Sequence, residues 1–233
     1  MNIDSKDIIE TVVQMASEVE FITKNCLEKS ISLKQIFERE NTINDFHMAI
    51  DDNCFKYIAL KKPTAKDLRI TLAAMKINAE LERIGDQATS VKRYSENLSQ
   101  EYARLETMNI AVQRMLSKVI DAFIHSNVKD AKVVITDDSQ INDLNQNVIE
   151  EFLLAMKNNE ISFEEGYSVI RIAKNLERVG DHCTNIAEAV IFAEDGQDIR
   201  HDPNVKKDRK KDNRLDSFLK RLGKDKKKDK KKD

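Results

Sequence analysis

Two stretches decide how this chain is read: ELERIGDQA at residues 80–88 and NLERVGDHC at residues 175–183. Their shared hexapeptides, LERIGD and LERVGD, open at Leu81 and Leu176, 95 residues apart, and differ only at Ile84 against Val179. Each holds one of the chain's 5 glycines, Gly85 and Gly180, inside a helical pattern. Glycine there costs about 1 kcal/mol relative to alanine. Such a cost, repeated beside the same carboxylates, needs a reason.

Outward from the first motif, Ala74, Ile77, Leu81, Ile84, Ala88 and Val91 recur at alternating steps of three and four. Around the second, Val169, Ile172, Leu176, Val179, Cys183, Ile186 and Val190 keep the same phase. That period marks one buried stripe on an α-helix. The same pattern predicts helices over about 5–29, 32–60, 65–97, 101–125, 128–156 and 162–193. Asp4 or Ser5 is the expected cap of the first, and Thr64 of the third. Pro63 ends the second, because the residue before proline resists the α region.

ERENTIND (38–45) and TDDSQIND (136–143) also match, at an offset of 98. Two landmarks in the same order indicate an internal duplication. The expected fold is all-α, with two tandem, duplicated three-helix bundles at 1–100 and 101–200 and a basic low-complexity tail at 201–233. Each half has a normal size for a small bundle.

Composition agrees. The 233 residues are 40% hydrophobic and 34% charged, with 2 prolines; a sheet-rich chain would need more turn residues. No apolar run approaches a membrane span. The first ten residues lack a basic n-region and an apolar core, so no secretory signal is expected. Three cysteines, Cys26, Cys54 and Cys183, form neither a disulfide framework nor a zinc signature. A reducing cytoplasm is therefore the expected location. There is no tryptophan, and the scattered aromatics offer no stacking platform for bases. Residues 204–233 carry 15 Lys and Arg against 6 Asp, net +9; the other 24 basic and 35 acidic residues net −11. The chain is an acidic body with a basic tail.

Within the motifs, Glu82 and Asp86, and Glu177 and Asp181, stand four apart on one helix face. They follow the buried stripe by one residue, which sets them at the edge of the core. An acidic i,i+4 pair alone is a common solvated face; the exact doubling and the glycines argue for a site. On the second helix of each half, Glu40 and Asn44, and Asp138 and Asn142, have the same spacing. If second and third helices pack, each half gathers an oxygen-rich patch, which Asn185 and Glu188 extend in the second. Such donors suit hard cations. No histidine stands three residues after a glutamate, so the Glu-x-x-His signature of di-iron bundles is missing. No phosphate loop or HExxH is present, and no catalytic set stands out, so no enzyme is expected. Cys183 falls on the core stripe and reads as packing. His182 could add a ligand, although its partner position holds Gln87.

KKPTAKDLR (61–69), ELERIGDQA (80–88) and NLERVGDHCTNIAE (175–188) resemble the PhoU family of phosphate-signalling regulators, over roughly residues 1–201. The resemblance implies paired three-helix bundles holding multinuclear metal clusters, often iron, through E(D)xxxD pairs; Mg, Mn, Ca or Zn are other candidates. It implies Glu82, Asp86, Glu177 and Asp181 as ligands, with Glu40 and Asp138 opening the other pairs. Asn44 and Asn142 depart from that pattern, and an amide oxygen is a weaker ligand than a carboxylate. The implied function is negative regulation of phosphate uptake and starvation signalling. The implied partners are the Pst transporter ATPase, a PhoR-type histidine kinase and a second copy in a dimer. The alternatives are a metal-handling bundle or an accessory subunit of a low-affinity phosphate transporter.

The tail lies outside that match. Its last eleven residues, GKDKKKDKKKD, have a composition that predicts disorder. Leu215, Phe218, Leu219 and Leu222 fall at i, i+3, i+4 and i+7 among Lys220, Arg221 and Lys224. This is the pattern of a short basic amphipathic helix. It suggests peripheral contact of 215–233 with the inner face of a membrane, and no specific nucleic acid.

Overall fold

The computed structural model describes residues 4–196 and, isolated beyond them, Phe218. The expectations placed on the rest of the tail lie outside the described residues. Six helices follow one another: α1 (Ser5–Asn25), α2 (Leu33–Lys61), α3 (Ala65–Ser95), α4 (Ala103–Ile124), α5 (Val128–Lys157) and α6 (Phe163–Asp195). There is no strand among the described residues.

The helix ends have local causes. Asp4 and Asp7 form a reciprocal capping box at α1, and Ser32 with Gln35 forms another at α2. Each satisfies backbone N–H groups that a helix start leaves without partners. Thr64 holds the N-cap position of α3, but its hydroxyl donates to Asp67 Oδ2 at 2.9 Å rather than accepting from the backbone. Lys62, at φ 48°, takes the left-handed conformation that turns the chain out of α2 before Pro63.

Each half packs its three helices together, and the halves meet chiefly along a seam between α3 and α6, with α1 against α4 beside it. Every residue of both predicted stripes is buried. Burial of each large side chain contributes about 1.5–3 kcal/mol against exposure. Because α6 is covered by α3, α4 and α5, it is buried around most of its circumference. In contrast, α2 lies at the outside against α1 and α3 and buries only Ile36, Ile43, Ile50, Cys54 and Tyr57. The three cysteines are free and buried. No described helix is long and apolar enough to cross a membrane.

Candidate metal centre

The glycines explain how closely the helices approach. A Cβ on Gly85 would stand 3.3 Å from Ile43 Cδ1 and 3.6 Å from Ile22 Cδ1. On Gly180 it would stand 3.4 Å from Asp138 Oδ1 and 3.5 Å from Ile141 Cγ2. Ile43 and Ile141 match at the 98-residue offset. Both glycines therefore seat the isoleucine of the neighbouring second helix. Only Gly180 also borders a carboxylate.

In the first half, α2 brings Glu40 to α3 beside Asp86 and Thr89. Burial pushes the Glu40 carboxyl above its ordinary value; the Asp86 carboxylate pushes the same way, and Thr89 pulls against both. Glu40 Oε2 is buried without a hydrogen-bond partner. Glu82 is half-buried, while Asp86 and Asn44 are exposed. Two carboxylates in one groove favour either a shared proton or a cation.

The second half differs. Asp138 is buried and accepts a hydrogen bond from Asn142 Nδ2 at 3.0 Å. Lys174 Nζ sits 2.7 Å from Glu177. Asp181 is half-buried. Burial raises the Cys183 thiol, and the charge on Asp138 adds to the rise; the thiol is a packing group, as its place on the stripe implied.

Asn185 and Glu188 were expected to extend the second patch. Asn185 instead reaches across the seam, where its Nδ2 donates to Glu80 Oε2 at 2.9 Å. His182 Nδ1 lies 2.7 Å from the same oxygen, and Arg83 holds Glu80 Oε1 at 2.9 Å. Glu188 is buried on α6. Glu80, the first letter of the ELERIGDQA stretch, is a structural residue that neither the carboxylate spacing nor the core stripe singles out. Burial alone would raise its carboxyl; hydrogen bonds from His182 and Asn185, with electrostatic attraction to His182 and Arg83, outweigh that and hold it below the ordinary value. Its two partners on α6 lie 102 and 105 residues away, beyond any local pattern.

The first-half donors fit a hard cation: oxygen only, with like charges opposed and a buried carboxylate oxygen left over. At the matching second-half positions an amide and a lysine already answer the carboxylates. Among the described residues, no three His, Cys, Asp or Glu side chains converge into a ready metal site.

The comparisons with known proteins agree with the doubled architecture. The model of the PhoU domain matches residues 4–94 and again 105–190. The phosphate-specific transport system accessory protein PhoU of Escherichia coli is 30% identical over 173 residues, 72% of this chain and 72% of that protein. The PhoU homolog of Pseudomonas aeruginosa is 31% identical over 174 residues, again 72% of each. The crystal structure of PhoU from Pseudomonas aeruginosa superposes with a TM-score of 0.77 at 28% identity, covering 82% of this chain and 97% of that one. The phosphate transport system regulatory protein PhoU from Streptococcus pneumoniae gives the same TM-score at 23% identity over 83% and 96%, a likeness of fold. With both repeats matched and the fold shared along nearly the whole of these relatives, the chain belongs to the PhoU family.

Proposed function

We propose that this chain is a regulatory accessory protein of a phosphate transport system. In this reading it restrains phosphate uptake and starvation signalling, acting at the cytoplasmic side as an adaptor between the transporter ATPase and a PhoR-type histidine kinase. The doubled PhoU domain carries the reading, together with relatives named for phosphate-specific transport. The protein acts through binding, and no catalytic step is assigned to it.

The same reading places a hard cation, iron foremost, at the carboxylate pairs. Glu40, Glu82 and Asp86 would hold it in the first half, and Asp138, Glu177 and Asp181 in the second. The cation would neutralise opposed carboxylates and so fix α2 on α3. The buried, unpartnered Glu40 Oε2 supports the first site most directly.

Two measurements test this. The purified chain, without a His-tag, should retain the transporter ATPase and the kinase in a pull-down; binding to neither would end the adaptor reading. Manganese or ferric ion should raise the melting temperature of the wild type and leave Glu40→Gln/Asp86→Asn unmoved. An equal rise in both would remove the cation from that groove.

A further inference from the structure

The two halves treat one matching groove differently. Val12, Met15 and Val19 in the buried stripe of α1 match Val112, Met115 and Val119 of α4 at an offset of 100. Glu18 therefore corresponds to Lys118, Phe21 to Asp121 and Gln14 to Arg114, while Arg39 corresponds to Asp137 at the offset of 98. In the first half Arg39 bridges from α2 to α1, binding Glu18 and lying over the Phe21 ring. In the second half the ion pair is reversed in sign, Lys118 with Asp137. A short aspartate stands in place of both the arginine and the ring. The long arms that bridge the first groove are missing from the second, and a cavity of about 450 Å³ lies open between α4 and α5.

We propose that this α4–α5 groove is the docking site for an acid-bearing amphipathic helix of a partner protein. Charge selects the occupant. The lining carries Arg114 and Lys118 against Asp137 alone, a net positive strip on a body that nets −11 over residues 1–203. Asp137 answers Lys118, but Arg114 is exposed and makes no ion pair or hydrogen bond among the described residues. Its planar guanidinium suits a carboxylate. Beside it the lining is apolar: Ile110, 46% exposed, with Ile141 and Leu144 of α5. A helix that offers a carboxylate to Arg114 and aliphatic side chains to Ile110 and Leu144 is laid in the groove by both of its faces. The length agrees. Two ion pairs, Arg104 with Glu151 and Lys118 with Asp137, join α4 to α5. From Arg104 to Lys118 the stretch of α4 spans about 21 Å, close to four helical turns. The identity of the partner rests on the adaptor reading above; the chemistry of the groove does not.

The probe is a fluorescein-labelled helical peptide of about 14 residues, with leucine at i, i+3, i+4 and i+7 and glutamate at the outer positions. Its twin carries lysine in place of glutamate. By fluorescence anisotropy the full chain should bind the acidic peptide and not the twin, and more weakly as salt rises. Arg114→Glu/Ile110→Glu should weaken binding about tenfold or more, the scale of a central interface contact, and Arg114→Gln should weaken it less. Gln14→Glu, at the matching exposed position of α1, should leave it unchanged. Because Ile110 and Arg114 are exposed, the melting temperatures should stay together. An acidic peptide that does not bind, a twin that binds equally, or binding that ignores Arg114→Glu/Ile110→Glu would overturn the proposal. So would a concentration-dependent dimer that this double variant dissolves, since a second copy would then hold the groove. Transporter ATPase and kinase retained by the double variant as well as by the wild type would overturn it too. If the wild type retains neither while the acidic peptide binds as expected, the adaptor reading ends and the groove assignment stands.

Discussion

Glu80 on α3 and Asn175 on α6 hold matching positions at the 95-residue offset, as do Gln87 and His182, and Ser90 and Asn185. On one side of the seam the acid is answered by His182, Asn185 and Arg83. On the other, Asn175 Nδ2 and Gln87 Oε1 are both buried without a hydrogen-bond partner. The backbone and the core are duplicated; the polar bonding is not. Each such group that lacks a partner forfeits the water it had when unfolded, so the two crossings contribute with opposite sign. At the answered crossing the second half contributes the histidine and amide and the first contributes the acid; Arg69 with the Ala193 carbonyl and Lys66 with Glu194 add polar contacts farther along the same seam.

The sharpest way to break the comparison is to remove the answered acid. Glu80→Gln should cost about 1–2 kcal/mol at pH 7, a hydrogen bond to a charged group in a half-buried place. A carboxyl held low in the folded state stabilises above its ordinary value of 4.5 and loses that contribution as pH falls through the lowered value. The gap between wild type and variant in urea denaturation should therefore close in strong acid; a gap independent of pH would mean that Glu80 acts by shape alone.

The glycines give the next effect. Alanine at either place gains about 1 kcal/mol of helix propensity. At Gly180 the added Cβ meets its neighbours at ordinary contact distance, while at Gly85 it crowds Ile43 at 3.3 Å. Gly180→Ala should thus raise the melting temperature, and Gly85→Ala should raise it less or lower it. The reverse order would show that the oxygen of Asp138 is less forgiving than the methyl of Ile43.

The unanswered crossing predicts a smaller change. Asn175→Leu with Gln87→Leu removes both partnerless groups and should remain within about 1 kcal/mol of the wild type. A large loss by calorimetry would reveal a hydrogen-bonded water between them. Smallest is the outer ion pair. Arg39 grips Glu18 with bonds of 2.8 and 3.0 Å and lies 4.6 Å over the Phe21 ring. At the position matching Arg39 stands Asp137, which meets Lys118 at 3.4 Å beside an open groove of about 450 Å³ between α4 and α5. Arg39→Ala should cost up to about 1 kcal/mol and Lys118→Ala close to nothing, read as urea midpoints.

What the sequence made legible was periodic. The core stripes, six helices and doubled order follow from a repeat of 3.6 residues, and the N-cap positions at Asp4 and Thr64 from residue type. The polar groups were harder because a helix has several faces. Asn185 shares α6 with Glu177 and Asp181, yet it meets α3 because α6 is covered on several sides, by α3, α4 and α5. Glu80 carries no periodic signal for its place in the seam, since His182 and Asn185 come from the other half of the chain and only Arg83 is local. Asn44 has the right spacing from Glu40, but α2 lies outermost and leaves it in solvent.

The three buried thiols offer a separate use. Burial pushes Cys26 and Cys54 up to about 12, so neither thiolate forms at neutral pH while the helices stay closed. Alkylation must then wait for opening. Cys54 lies on the thinly covered α2 and Cys183 on the enclosed α6. Their labelling order is a native clock for which layer of the molecule separates first, with no residue needing to be introduced.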